Sequence, residues 1–125
     1  MTAMQGGSMP RPSDDSKTAF RSVLPDDPAV AVRPMFGNIA AFVNGNMFAG
    51  LFGDDLFVRL GEEERALLIE RGGSAFEPMP GRAMKDYVTV PGEWARDLEA
   101  TRGWVFRSLE CARDLPAKEP RKRRS

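Results

Sequence analysis

The sequence predicts an α+β fold, an antiparallel β-meander with a further strand, packed against helices in two layers. Three observations predict it. Apolar runs at residues 39–43, 47–52 and 56–60 are separated by Asn44-Gly45-Asn46 and Gly53-Asp54-Asp55, which are hairpin signals. A fourth run with moderate alternation, residues 84–90, follows a stretch rich in Pro and Gly. Stretches of helical periodicity precede, interrupt and follow these runs, so helices must cover a sheet face. At 125 residues, one domain is expected.

The elements follow in chain order. Ser13 is placed to cap a helix whose first turn holds Asp14 and Asp15, where the helix dipole favours acids. Ala19, Phe20, Val23 and Leu24 supply its apolar stripe, and Pro25 ends it. Residues 29–32 read as a short extended segment, and Pro34 confines any strand there to an edge or an end. In the meander, alternation puts Ile39, Ala41, Val43, Met47, Ala49, Leu51, Leu56, Val58 and Leu60 on one face. Phe42, Phe48, Phe52, Phe57 and Arg59 share the other. A three-residue loop over 44–46 keeps that sorting, with Val43 opposite Met47 and Phe42 opposite Phe48. A two-residue Asn44-Gly45 turn would mix the faces, so the longer loop is expected.

Residues 61–71 predict a helix, with Glu62, Glu63 and Glu64 in its first turn and Gly72 suited to its C-terminal end. Residues 74–82, with Pro78, Pro80 and Gly81, predict a loop, and residues 84–90 the further strand. Trp94, Leu98, Thr101, Val105, Leu109 and Ala112 recur at spacings of 3 and 4, a helical stripe that Gly103 is positioned to divide.

Composition removes several function classes. There is no histidine, which excludes Ser-His-Asp and Cys-His catalysis and His-ligated zinc within the chain. Cys111 is the one cysteine, so no internal disulfide can form. No apolar run reaches the roughly 18 residues of a membrane span, and residues 1–12 lack the hydrophobic core of a secretory signal. A cytoplasmic protein without membrane association is the expectation, with a flexible leader over 1–12 and a folded domain over 13–116. The 18 basic and 18 acidic residues cancel, but unevenly. Residues 117–125 carry five cations against Glu119, a net +4 that leaves the rest of the chain at −4. Pro116 and Pro120 discourage a helix there, so 117–125 read as a basic, disordered tail.

An ordered series of short motifs carries a family resemblance. Met35-Phe36-Gly37, the Asn44-Gly45 hairpin with Met47-Phe48-Ala49, Leu56-Phe57-Val58-Arg59-Leu60, and Phe76-Glu77-Pro78-Met79-Pro80-Gly81-Arg82-Ala83-Met84-Lys85-Asp86-Tyr87 resemble the N-terminal domain of the TfoX/Sxy family over roughly residues 20–115. The resemblance implies an antiparallel sheet with helices on one face. It also implies a link to regulators of natural competence in some bacteria. Those regulators carry a C-terminal helical domain, whereas this chain passes into its basic tail, so a stand-alone N-terminal module is expected. The resemblance brings no catalytic residues and no cofactor.

Candidate sites each have a structural and a functional reading. Phe42, Phe48, Phe52 and Phe57 form an interface for a protein partner or a second copy, a homodimer, unless a helix covers them or they are core. Met35-Phe36-Gly37 is a bend with an aromatic anchor or a binding element. Arg82 and Lys85 beside a Gly turn, joined by Arg33 if the fold brings it near, are an anion contact or a charged surface loop. Asp54, Asp55 and Glu62 to Glu64 suit turns and a helix start, and lack the oxygen count a hard cation wants. Cys111 adjoins the apolar stripe, as an inert, partly buried thiol or a nucleophile. Arg121, Lys122, Arg123 and Arg124 are a solvated end or a non-specific nucleic-acid tether, with a log–log salt slope of roughly −3.6 on duplex DNA if all four engage phosphates.

The functional expectation is a small non-enzymatic regulatory or adaptor module acting through protein contacts. A nucleic-acid accessory protein tethered by its tail is the alternative from a second class. A small-ligand binder or enzyme using Arg82, Lys85 and Tyr87 is a third.

Overall fold

The computed structural model describes residues 11–35 and 37–117. Residues 1–10 of the expected 1–12 leader, Phe36, and residues 118–125 of the expected 117–125 tail, with Arg121, Lys122, Arg123 and Arg124, lie outside the described residues.

Helix α1, Asp14–Val23, starts at the expected cap: Ser13 Oγ accepts from Ser16 N at 3.1 Å. Strands β1 (Val30–Met35), β2 (Asn38–Val43), β3 (Asn46–Phe52) and β4 (Asp55–Arg59) follow as an antiparallel meander. Helix α2, Glu62–Glu70, leads to β5 (Ser74–Ala75) and, after a long loop, β6 (Tyr87–Thr89). A 3-10 turn, Trp94–Arg96, precedes helix α3, Leu98–Arg113. Among the described residues the sheet has six strands in the order β1-β2-β3-β4-β6-β5, all pairings antiparallel. The fold is therefore α+β, as the sequence predicts. Pro34 sits in β1 at the sheet edge, where its missing N–H breaks no ladder.

Helices α1 and α3 pack on one face of the sheet. The core between them and the strands includes Phe20, Val23, Phe48, Leu51, Leu56, Val58, Val105 and Leu109. Leu68 of α2 joins it against β6. Three polar contacts add to this packing. Trp94 Nε1 donates to the Asp54 carbonyl at 2.9 Å, Thr101 Oγ1 donates to the Trp94 carbonyl at 2.9 Å, and Arg113 pairs with Asp27 at 2.6 Å.

Four expectations are corrected. The β2–β3 connection is the two-residue turn Asn44-Gly45, with φ of 52° and 79°, the twist that suits a tight hairpin. Phe42 consequently faces Met47, and Val43 faces Asn46. The faces do not scramble, because a β-bulge follows: Ala41 pairs with Ala49, which leaves Phe48 as an extra residue. Phe48 and Ala49 both turn to the helices, and Met47 passes to the opposite face. Residues 74–82 are not wholly loop, since Ser74 and Ala75 pair with Thr89 and Val88. The further strand is shorter than expected, because residues 84–86 form a turn with Tyr87 N bonded to the Met84 carbonyl at 3.1 Å. The final helical stretch divides at Asp97, not at Gly103. The Asp97 side chain caps α3 by accepting from Ala100 N at 3.2 Å, and Gly103 lies inside the helix.

Candidate functional site

The sheet face away from the helices holds the candidate site. Register places Arg33 and Met35 of β1, Ala40 and Phe42 of β2, Met47, Gly50 and Phe52 of β3, Phe57 and Arg59 of β4, and Tyr87 of β6 on this face. No helix among the described residues crosses it. The loop between β5 and β6 folds back over its β6 end instead. That loop is itself a small hairpin: Met84 N donates to the Phe76 carbonyl at 2.8 Å, and Arg82 N to the Met79 carbonyl at 2.9 Å, around Gly81.

An aromatic cluster pins the loop down. Phe76 stacks on Phe57 with ring centroids 4.2 Å apart and planes 14° off parallel. Phe52 meets Phe76 edge-on at 5.7 Å, and Tyr87 meets Phe57 edge-on at 5.8 Å. Phe57, Phe76 and Tyr87 are buried, with Met47, Phe52 and Met84 half-buried around them. Gly50 makes room for this arrangement, since a Cβ there would lie 2.6 Å from Phe57 Cζ.

Between the loop and the sheet runs a groove of about 510 Å³, open to solvent. Met35, Met47, Phe52, Phe57, Met79 and Met84 supply most of its wall. Asn38 is the polar side chain in the wall, and its Oδ1 accepts from Gly53 N at 2.9 Å. Met79 projects from the loop and is 60% exposed.

A polar network closes one end of the face. Asp86 pairs with Arg59 at 3.1 Å and with Arg65 at 3.5 Å, and Arg65 also donates to the Leu60 carbonyl. Tyr87 Oη donates to the Met47 carbonyl at 3.0 Å and accepts from Arg59 at 3.4 Å. Burial works against the Arg59 charge, but Tyr87 and Asp86 outweigh it and hold the guanidinium pKa above its ordinary value. The network is structural in form: each side chain is spent on another or on the backbone.

The residues singled out in the sequence fall into separate places. Phe52 and Phe57 belong to the groove wall. Phe42 is half-buried on the same face, with the Arg33 guanidinium 5.0 Å from its ring centroid. Phe48 is fully buried on the helix side and is not part of this face. Arg82 and Lys85 are exposed on the loop, while Arg33 sits on the edge strand at the other side of the sheet. Asp54 serves the fold, its carboxylate accepting from Ser13 N at 2.8 Å. That bond, followed by contacts with the Ser16 and Ser13 hydroxyls, lowers its pKa below the ordinary carboxylate value. Glu62, Glu63 and Glu64 occupy the first turn of α2. Cys111 is half-buried on α3. Among the described residues no group of three His, Cys, Asp or Glu converges on one point, and no helix is long and apolar enough to cross a membrane.

Sequence reasoning missed Phe76, Met79 and Met84 as partners of the Phe-bearing strands. The signal was present, since large apolar residues at 76, 79 and 84 are unusual in a stretch otherwise built of turn formers.

The model of the TfoX N-terminal domain family matches residues 23–112, most of the chain. A search of curated proteins finds no match.

Proposed function

The chain belongs to the TfoX N-terminal domain family, and from that premise we propose that it is a cytoplasmic regulatory or adaptor module that works through protein contacts and not through catalysis. One observation carries this reading: the sheet face that the helices leave uncovered is apolar, grooved and open, with Met79 raised above it. Apolar surface of this kind gains from being removed from water, and Met-lined surfaces repack around varied partners. The Arg59, Arg65, Asp86 and Tyr87 network beside it is engaged within itself, which supports a contact role over a chemical one.

A second copy of the chain is the first partner to test. Analytical ultracentrifugation and crosslinking across a wide concentration range report it. A dimer that Met79→Glu or Phe42→Glu dissociates, with the fold intact by circular dichroism, supports contact through this face. A monomer at every concentration removes the homodimer version.

A further inference from the structure

We infer that the groove is a binding site for a free, single-chain anionic amphiphile, a medium-chain alkyl carboxylate. Its volume, about 510 Å³, lies within the range of small-molecule sites, roughly 300–1,000 Å³. Its wall is thioether and aromatic carbon, and the side-chain oxygen of Asn38 already holds Gly53 N. A sugar or nucleobase would bring hydrogen-bonding groups that this wall leaves unpaired, and so would the backbone of an extended peptide. A hydrocarbon chain brings none. Four of the ten lining residues are Met, whose three torsions fit a wall to a flexible chain.

The length also suits a chain. Met35 on β1 and Phe57 on β4 are three strand spacings apart, about 14 Å. At roughly 1.2 Å per bond of an extended chain, about twelve to thirteen carbons cover that span.

The charges on the segments that carry the groove wall select the head group. The Arg11 side chain packs beside Gly37 in the β1–β2 turn. Arg33 is two residues before Met35 on the same face, with its guanidinium over the Phe42 ring. Arg82 sits in the turn between Met79 and Met84, and Lys85 follows Met84. Against these four cations stand Glu77 on the loop, Asp55 opposite Phe52, Asp54 beside it holding Ser13 N, and Asp86, which is committed to Arg59 and Arg65. None of the four cations is paired with a carboxylate among the described residues. A carboxylate head at the Arg82 and Lys85 end of the groove gains a charge-assisted contact, and an ammonium head is repelled. Such a ligand would occupy part of the proposed contact face, so ligand and protein partner would compete.

Calorimetric titration of the full chain with hexanoate, octanoate, decanoate and dodecanoate tests the site, with decanol and decyltrimethylammonium as charge controls. Affinity is expected to rise about fourfold per added methylene until the groove is full, and decyltrimethylammonium to bind at least about tenfold more weakly than decanoate. The exposed double variant Arg82→Glu/Lys85→Glu should weaken decanoate about tenfold and leave decanol unchanged. Met84→Glu should abolish binding of both, with its urea midpoint measured to confirm folding. Absence of binding at millimolar decanoate overturns the site. So does affinity indifferent to chain length, or equal binding of the ammonium and the carboxylate. Self-association is measured without any ligand, so failure here and failure of the protein-contact reading are read separately.

Discussion

Replacing Gly50 with Ala probes how the aromatic cluster is seated. An added Cβ would lie 2.6 Å from Phe57 Cζ, 3.0 Å from Cε2 and 3.2 Å from Ala40 Cβ. Carbon atoms in contact prefer about 3.5–4.0 Å, so the ring must retreat by roughly 1 Å. It has little room, because Phe76 lies flat against it at 4.2 Å and Tyr87 abuts it at 5.8 Å. Overpacking of this kind costs about 1–3 kcal/mol. Ala gains about 0.5–1 kcal/mol over Gly in a strand, which leaves a net loss of about 1–2 kcal/mol. Urea unfolding measures it: with a slope of about 1–3 kcal/mol per M, the midpoint should fall by roughly 0.5–1 M at unchanged slope. In a Phe57→Leu background the ring is gone, and Gly50→Ala should become neutral or stabilising, a coupling of about 1–2 kcal/mol. Equal cost in both backgrounds would refute the account, as would a Gly50→Ala protein at least as stable as the parent.

Gly103 is the opposite case. It is exposed inside α3, and a Cβ added there would meet open space, so Gly103→Ala should stabilise by about 1 kcal/mol and raise Tm by several degrees in calorimetry. Phe48→Ala empties a fully buried position and should cost about 3–5 kcal/mol in denaturant unfolding, far more than Phe42→Ala at the half-buried site. Asp54 has a lowered folded pKa, so its contribution is complete above the unfolded value of 3.8 and lost as pH falls through the folded value. The Tm difference between the parent and Asp54→Ala should therefore shrink as pH drops below 3.8. Asp86→Ala leaves Arg59 and Arg65 without their shared carboxylate and should cost about 1–2 kcal/mol, measured by urea midpoint at low salt.

The legible parts of the fold were those set by local chemistry. Ser13 and the two Asp that follow it declare a helix start, and Asn44-Gly45 declares a hairpin. Pro34 marks an edge. The bulge at Phe48 was not legible, because alternation alone argues against a two-residue turn there. Only the pairing of Ala41 with Ala49 across the hairpin shows that one extra residue repairs the faces. Strand β5 escaped notice because two exposed residues carry no period, and their pairing with β6 comes from the tertiary fold. Asp97 outcompeted Gly103 as the helix break because a capped start satisfies a free N–H, whereas a glycine merely weakens a turn. The groove was half legible. Its strand residues Phe52 and Phe57 follow from alternation, but the Met and Phe residues facing them sit on a loop, whose course periodicity does not describe.

The hydrogen bond from Asn46 Nδ2 to the Pro116 carbonyl, at 3.0 Å, has a consequence for anything joined to this domain. It moors the end of the described chain to the Asn44-Gly45 hairpin, at one pole of the sheet, while the turns at Gly37 and Gly53 lie at the other. Cargo fused directly after Ala117 would therefore start beside that hairpin. The Gly37 and Gly53 pole stays clear of that junction, so a partner fused directly at Ala117 would leave it open.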